Sequence, residues 1–195
     1  MTAGPHYQGG ALMIEILITI AIVVIGVWGL VEVQTRLQRS EMESYQRSQA
    51  LLLLDDMASR LSSNRSVADQ YPASAANIAP PCPTDPNSIV PASPDDLVDR
   101  DVAEWCYAIE GATETLGGAA VGSLVGGRGC VEDLLNGLYR VTVVWQGQTP
   151  ISAPPASISC GANQYNLPAG SECADPGNAD QCRRYVTTTV RIATL

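Results

Sequence analysis

The sequence predicts an α+β fold: a long N-terminal transmembrane and amphipathic helix packed on a small antiparallel sheet, with disulfide-stapled loops. Three observations predict it. No Pro interrupts the chain between Pro5 and Pro72, and helical signals run through that interval. Two segments, Leu138 to Gln148 and Arg183 to Ala193, are rich in Val, Thr and aromatic residues and read as strands. Six cysteines, Cys82, Cys106, Cys130, Cys160, Cys173 and Cys182, all follow the helical interval.

The helix is expected from about Ala11 to about Asn64. Ala11 to Val31 carries a single charge, Glu15. At about 1.5 Å per residue this stretch covers about 31 Å, the thickness of a bilayer core. A secretory signal peptide has a basic start and a shorter apolar run with small residues after it. Here Gly9 and Gly10 precede the run, and Met1 to Gly10 holds no Lys or Arg. Glu15 is costly inside an apolar helix, so it is either paired, functional or snorkelling to the interface. Beyond the span, Glu32 and Arg36, Glu43 and Arg47, and Asp56 and Arg60 are acid-before-base pairs at i, i+4, the favourable order. Leu30, Val33, Leu37, Tyr45, Leu52, Met57 and Leu61 give an approximate apolar stripe that must pack on something, with the remaining domain the nearest candidate. Gly26 and Gly29 weaken the helix locally, which suits close packing or tolerance in lipid.

The chain has a net charge of -9, no Phe, and Arg as its only strong base. From Ser66 onward acids outnumber Arg by about two to one. An acidic domain without a basic cluster repels phosphate backbones, so no nucleic acid is expected as a partner. An even set of cysteines beyond a membrane helix points to an oxidising compartment and up to three disulfides, with the pairing left open. No C-x-x-C occurs and His6 is the only His, which argues against zinc.

Tyr71 to Pro94, with seven Pro, is expected to be an extended connecting loop. Asp95 to Glu110 has helix character, with Asp95 or Asp96 as cap and Trp105 and Cys106 facing the core. Gly111 to Gly129 reads as a flexible or hairpin region; its G-x-G spacing lacks the strand, Lys and acidic partner of a nucleotide site. Thr149 to Gln181 is a long connection that needs staples, and Cys173 with Cys182 would close a small loop. Asp175, Asn178 and Asp180 offer calcium-type oxygens but no bidentate Glu accompanies them. No Ser-His-Asp or Cys-His arrangement is available, so no catalytic residues, cofactor or metal is expected and the chain does not read as an enzyme.

The stretch G-G-A-L-M-I-E-I-L-I-T-I-A-I-V, Gly9 to Val23, resembles the class III signal of type IV pilins and pseudopilins. I-G-V-W-G-L (Ile25 to Leu30), S-Y-Q-R-S-Q-A (Ser44 to Ala50), D-D-M-A-S-R-L-S-S-N-R (Asp55 to Arg65) and Y-R-V-T-V-V-W (Tyr139 to Trp145) are similar to PilV-type (pilus modification) minor pilins. Ala11 stands where the family usually has Phe, and the leader lacks the family's usual Lys or Arg. The resemblance implies cleavage by a prepilin peptidase between Gly10 and Ala11, N-methylation of Ala11, and a subunit-assembly role for Glu15 opposite the N-terminal amine of a neighbouring subunit. It implies a leader at 1–10, an N-terminal helix at 11–65 with its transmembrane part at 11–31, and an extracytoplasmic head domain at 66–195. The expected function is that of a minor pilin in type IV pilus initiation and assembly, supporting adhesion and twitching motility. Its partners would be other minor pilins and the major pilin, and it would sit in the bacterial inner membrane with a periplasmic head before reaching the cell-surface pilus. A type II secretion pseudopilin shares the leader and helix, and a bitopic periplasmic binding or sensor module is a remoter alternative.

Overall fold

The computed structural model describes residues 9–111, 115–116, 119–120, 124–166, 169–175, 177 and 179–193. His6 and Asn178, and with Asn178 part of the calcium-type cluster, lie outside the described residues. The chain divides into two compact units, Met1–Met42 and Glu43–Leu195. The fold is α+β, with a long N-terminal helix, a three-stranded antiparallel sheet and three disulfides.

Helix α1 spans Gly9–Ser63 and supplies the described part of the first unit. Its uninterrupted run follows from the absence of Pro and the abundance of Leu, Ile, Ala, Met, Glu and Arg. In the second unit, Gln46, Ala50, Leu54, Met57 and Leu61 are buried, a stripe stepping by three and four residues. The expected stripe included Tyr45 and Leu52, but these are 46% and 64% exposed. The buried face is instead the one carrying Gln46, Ala50, Leu54, Met57 and Leu61, which turns Tyr45 and Leu52 outward.

Residues 71–94 are not one extended loop. Helix α2, Tyr71–Ser74, forms there with Pro72 in its first turn, where a missing N–H costs nothing. A 3-10 turn covers Pro86–Ser88, and Ile78 exchanges two backbone hydrogen bonds with Gly129. Helix α3, Pro94–Glu110, starts one residue earlier than expected. Ser93 is its cap, and Asp96 closes a reciprocal capping box as the N3 partner. Gly111, left-handed at φ 73°, ends it.

Strands β1 (Thr115–Leu116) and β2 (Ala119–Ala120) form a small antiparallel pair in the Gly-rich region. The main sheet has the order β3-β4-β5, comprising Arg128–Asp133, Leu138–Gln146 and Arg183–Arg191. Strand β3 was not anticipated, since Arg-Gly-Cys-Val-Glu-Asp has weak strand propensity. Its Gly129 is required by tertiary packing: a Cβ there would lie 2.2 Å from the Trp105 ring. Val141, Val143 and Trp145 of β4 face α1 and α3 across the main core with Val131, Val186, Trp105, Tyr71 and Ile109. Val144, on the opposite face, is covered by Cys130, Cys160 and Tyr165. The central strand is therefore buried on both sides, which explains its near-continuous apolar run.

The long connection after β4 is stapled. Cys173 pairs with Cys182, Cys130 with Cys160, and Cys82 with Cys106. The buried Arg183 guanidinium donates to the carbonyls of Ile158 (2.8 Å) and Cys160 (2.6 Å) and pairs with Asp180 at 3.3 Å.

Candidate functional site: the exposed first half of α1 and its lock to the head

Gly10 and Ala11, the expected cleavage and methylation positions, fall in the first turn of α1. Glu15 follows on the next turn with its side chain exposed. Every described side chain from Met13 to Val31 is exposed, so this part of α1 offers a continuous apolar surface. It is long and apolar enough to cross a membrane. Thr19 satisfies its hydroxyl internally by donating to the Ile16 carbonyl at 2.9 Å, and Glu15 is the sole formal charge between Met13 and Val31. The Glu32–Arg36 pair forms at 2.6 Å where the apolar run ends.

Farther along, α1 is locked into the head by a polar cluster. Arg60 reaches Asp56 (3.1 Å), Asp101 (2.8 Å) and Glu104 (2.6 Å), and Arg100 meets Glu104 at 3.0 Å. Asp101 is buried and also accepts from Asn64 (2.7 Å) and from the Tyr71 hydroxyl. Burial alone would lower the Arg60 pKa; the Glu104 hydrogen bond and the Asp56 charge outweigh it and raise it. The Glu104 carboxyl is held below the ordinary carboxylate range, first by its hydrogen bond from Arg60. Burial, then the hydrogen bond to Asp101, pushes the Tyr71 hydroxyl up. The Trp105 indole N–H adds a further tie, donating to the Leu53 carbonyl at 2.9 Å.

Sequence reasoning anticipated the Asp56–Arg60 pair but missed the cluster around it. One signal was present: Asp101 lies one turn from Trp105 on the inward face of α3, and a carboxylate there demands donors. The expected Glu43–Arg47 pair is replaced. Glu43 meets Arg184 of β5 at 3.3 Å, and Gly147 clears the space, since a Cβ there would lie 2.5 Å from the Arg184 guanidinium carbon.

All six cysteines are engaged in disulfides. Among the described residues no group of His, Cys, Asp and Glu is arranged to hold a metal ion. Asp175 accepts from the Gly177 N–H, and Asp180 from the Asn163 N–H while pairing with Arg183. A cleft of about 780 Å³ lies between the Pro-rich segment and α3, lined by Ile78, Ile89, Val90, Val102 and Cys106. Its two carboxylates are committed, Asp96 to the capping box and Asp99 to the Ser74 hydroxyl.

A long apolar-headed helix on a small antiparallel sheet with disulfides is compatible with a pilin-like fold. No family model, curated protein or solved structure matches this chain.

Proposed function

We propose that this chain is a minor pilin of the PilV type, held in a bacterial inner membrane by the first half of α1 and built from there into a type IV pilus. Its role is structural: it helps initiate and assemble the filament, and adhesion and twitching motility follow from that. Other minor pilins and the major pilin are its partners, and a prepilin peptidase matures it between Gly10 and Ala11.

One observation carries this reading. The motif Gly9 to Glu15 stands at the head of a helix whose first half is apolar and exposed and whose second half is the spine of a disulfide-stapled head. Such a helix has a large apolar surface to cover, which lipid covers before assembly and neighbouring helices cover afterwards. A carboxylate near the start of that surface suits register fixing, because an unpaired charge in a low-dielectric core is penalised and a paired one is not.

The test is the mass and N-terminal sequence of the protein from cells with and without prepilin peptidase. The expected mature chain begins at Ala11, and a bulky substitution at Gly10 leaves the precursor uncut. A chain that begins at Met1 in peptidase-containing cells overturns the reading.

A further inference from the structure

We propose that Trp28 is an interfacial anchor that sets where α1 leaves a lipid bilayer, with its indole at headgroup level and the Glu32–Arg36 pair in the water beyond. This placement rests on the membrane-anchor reading of α1 and specifies the residue that fixes its depth.

Four observations meet at this point. First, Trp28 is 77% exposed, the most exposed large apolar side chain described in α1. An indole joins a broad apolar body to one N–H donor, a combination that favours the hydrocarbon–water boundary over either phase. Second, its surroundings are graded. Ile25 lies one turn before it and Glu32 one turn after it, beside the same shallow notch. Gly26 and Gly29 leave the flanks open, since a Cβ at either would meet nothing within 4 Å. The ring is thus free to sit flat between acyl chains on one side and a carboxylate on the other.

Third, the lengths agree. From Ala11 to Trp28 the axial rise is about 26 Å, close to the hydrocarbon thickness of about 30 Å. One end of the run then falls at one interface and Trp28 near the other. Fourth, charge returns at once: no ionisable side chain occurs from Ile16 to Val31, and the exposed Glu32 and Arg36 then pair at 2.6 Å. That pair suits water and headgroups and would be costly any deeper. The occupant of this surface is therefore a bilayer of ordinary thickness.

The other tryptophans make the inference directly testable. Trp105 and Trp145 are buried in the head core, so Trp28 alone is open to a quencher in lipid. The full chain is reconstituted at low protein-to-lipid ratio into phosphatidylcholine vesicles brominated at shallow, middle or deep acyl positions. Quenching of tryptophan fluorescence is expected to be strongest from shallow bromines and to fall several-fold toward the deep ones. Trp28→Phe should abolish this lipid-dependent quenching while the protein still floats with the vesicles. Quenching that is strongest from deep bromines, equal at all depths or retained in Trp28→Phe overturns the proposal. Floated protein whose emission no bromine reaches overturns it too, assigning Trp28 to a contact with a neighbouring helix. Protein that does not float refutes the membrane reading itself.

Discussion

Asp101 shows how a single carboxylate can organise a junction. Three donors, Arg60 and Asn64 at the end of α1 and Tyr71 in α2, converge on this largely buried carboxylate. Asp101→Ala leaves the Tyr71 hydroxyl without its acceptor, although Asn64 still donates to that hydroxyl and Arg60 keeps Glu104 and Asp56. A loss of about 2–3 kcal/mol is expected by chemical denaturation of the detergent-solubilised protein. The same cluster predicts an acid limb. Arg60 depresses the Glu104 pKa, so its contribution is complete above the unfolded value of about 4.3 and is lost as pH falls through the folded value. Stability should therefore decline below about pH 4.5, and Glu104→Gln should flatten part of that decline in pH-dependent denaturation curves. Tyr71 acts at the other end of the scale. Its raised pKa gives stability that is complete below the ordinary tyrosine value of about 10 and lost as pH rises beyond it.

Along helix α1 burial changes: every described side chain from Met13 to Val31 is exposed, while from Gln46 onward one face is buried. In the head-bound half the buried face is fixed by Ala50, Leu54, Met57 and Leu61, while Leu52 points outward. Leu54→Ala should cost about 2–4 kcal/mol and Leu52→Ala less than about 0.5 kcal/mol in the same denaturation assay. Equal effects would mean the helix is rotated from the face described. In the apolar half, the proposed assembly role of Glu15 predicts that Glu15→Val leaves membrane insertion intact and lowers recovery in sheared filaments. Wild-type recovery of that variant would remove Glu15 from assembly. The i, i+4 pairs give a related lesson. Glu32–Arg36 and Asp56–Arg60 form locally, while Glu43 turns to Arg184, which is 141 positions away in sequence.

At the scale of the molecule, three disulfides hold a head whose connections are long. Cys82–Cys106 ties the Pro-rich segment to α3, Cys130–Cys160 ties β3 to the outer cover of the sheet, and Cys173–Cys182 closes a small loop before β5. Each closes a loop of a size whose removal from the unfolded ensemble is worth about 3 kcal/mol. The double variant Cys82→Ser/Cys106→Ser should lower Tm and open residues 79–91 to protease, leaving β4 and β5 protected from amide exchange. Loss of protection throughout the sheet would show that this staple holds the whole head.

The apolar span, the helical run to the low sixties, two strands, α3 and the small Cys173–Cys182 loop were legible in the chain because each depends on near neighbours: period, breakers and turn residues. Strand β3, the rotated face of α1, the Ser93 cap and the Asp101 cluster were not. Gly129 signals a strand only once the Trp105 ring lies against it, and Asp101 finds its donors only when α1, α2 and α3 meet. By itself the sequence determined where helix and membrane-length surface begin, since backbone propensity and hydrophobic length act over a few residues. Tertiary structure decided which face is buried, how Cys82, Cys106, Cys130 and Cys160 join and which charges pair at long range, because those outcomes depend on surfaces brought together from distant parts of the chain.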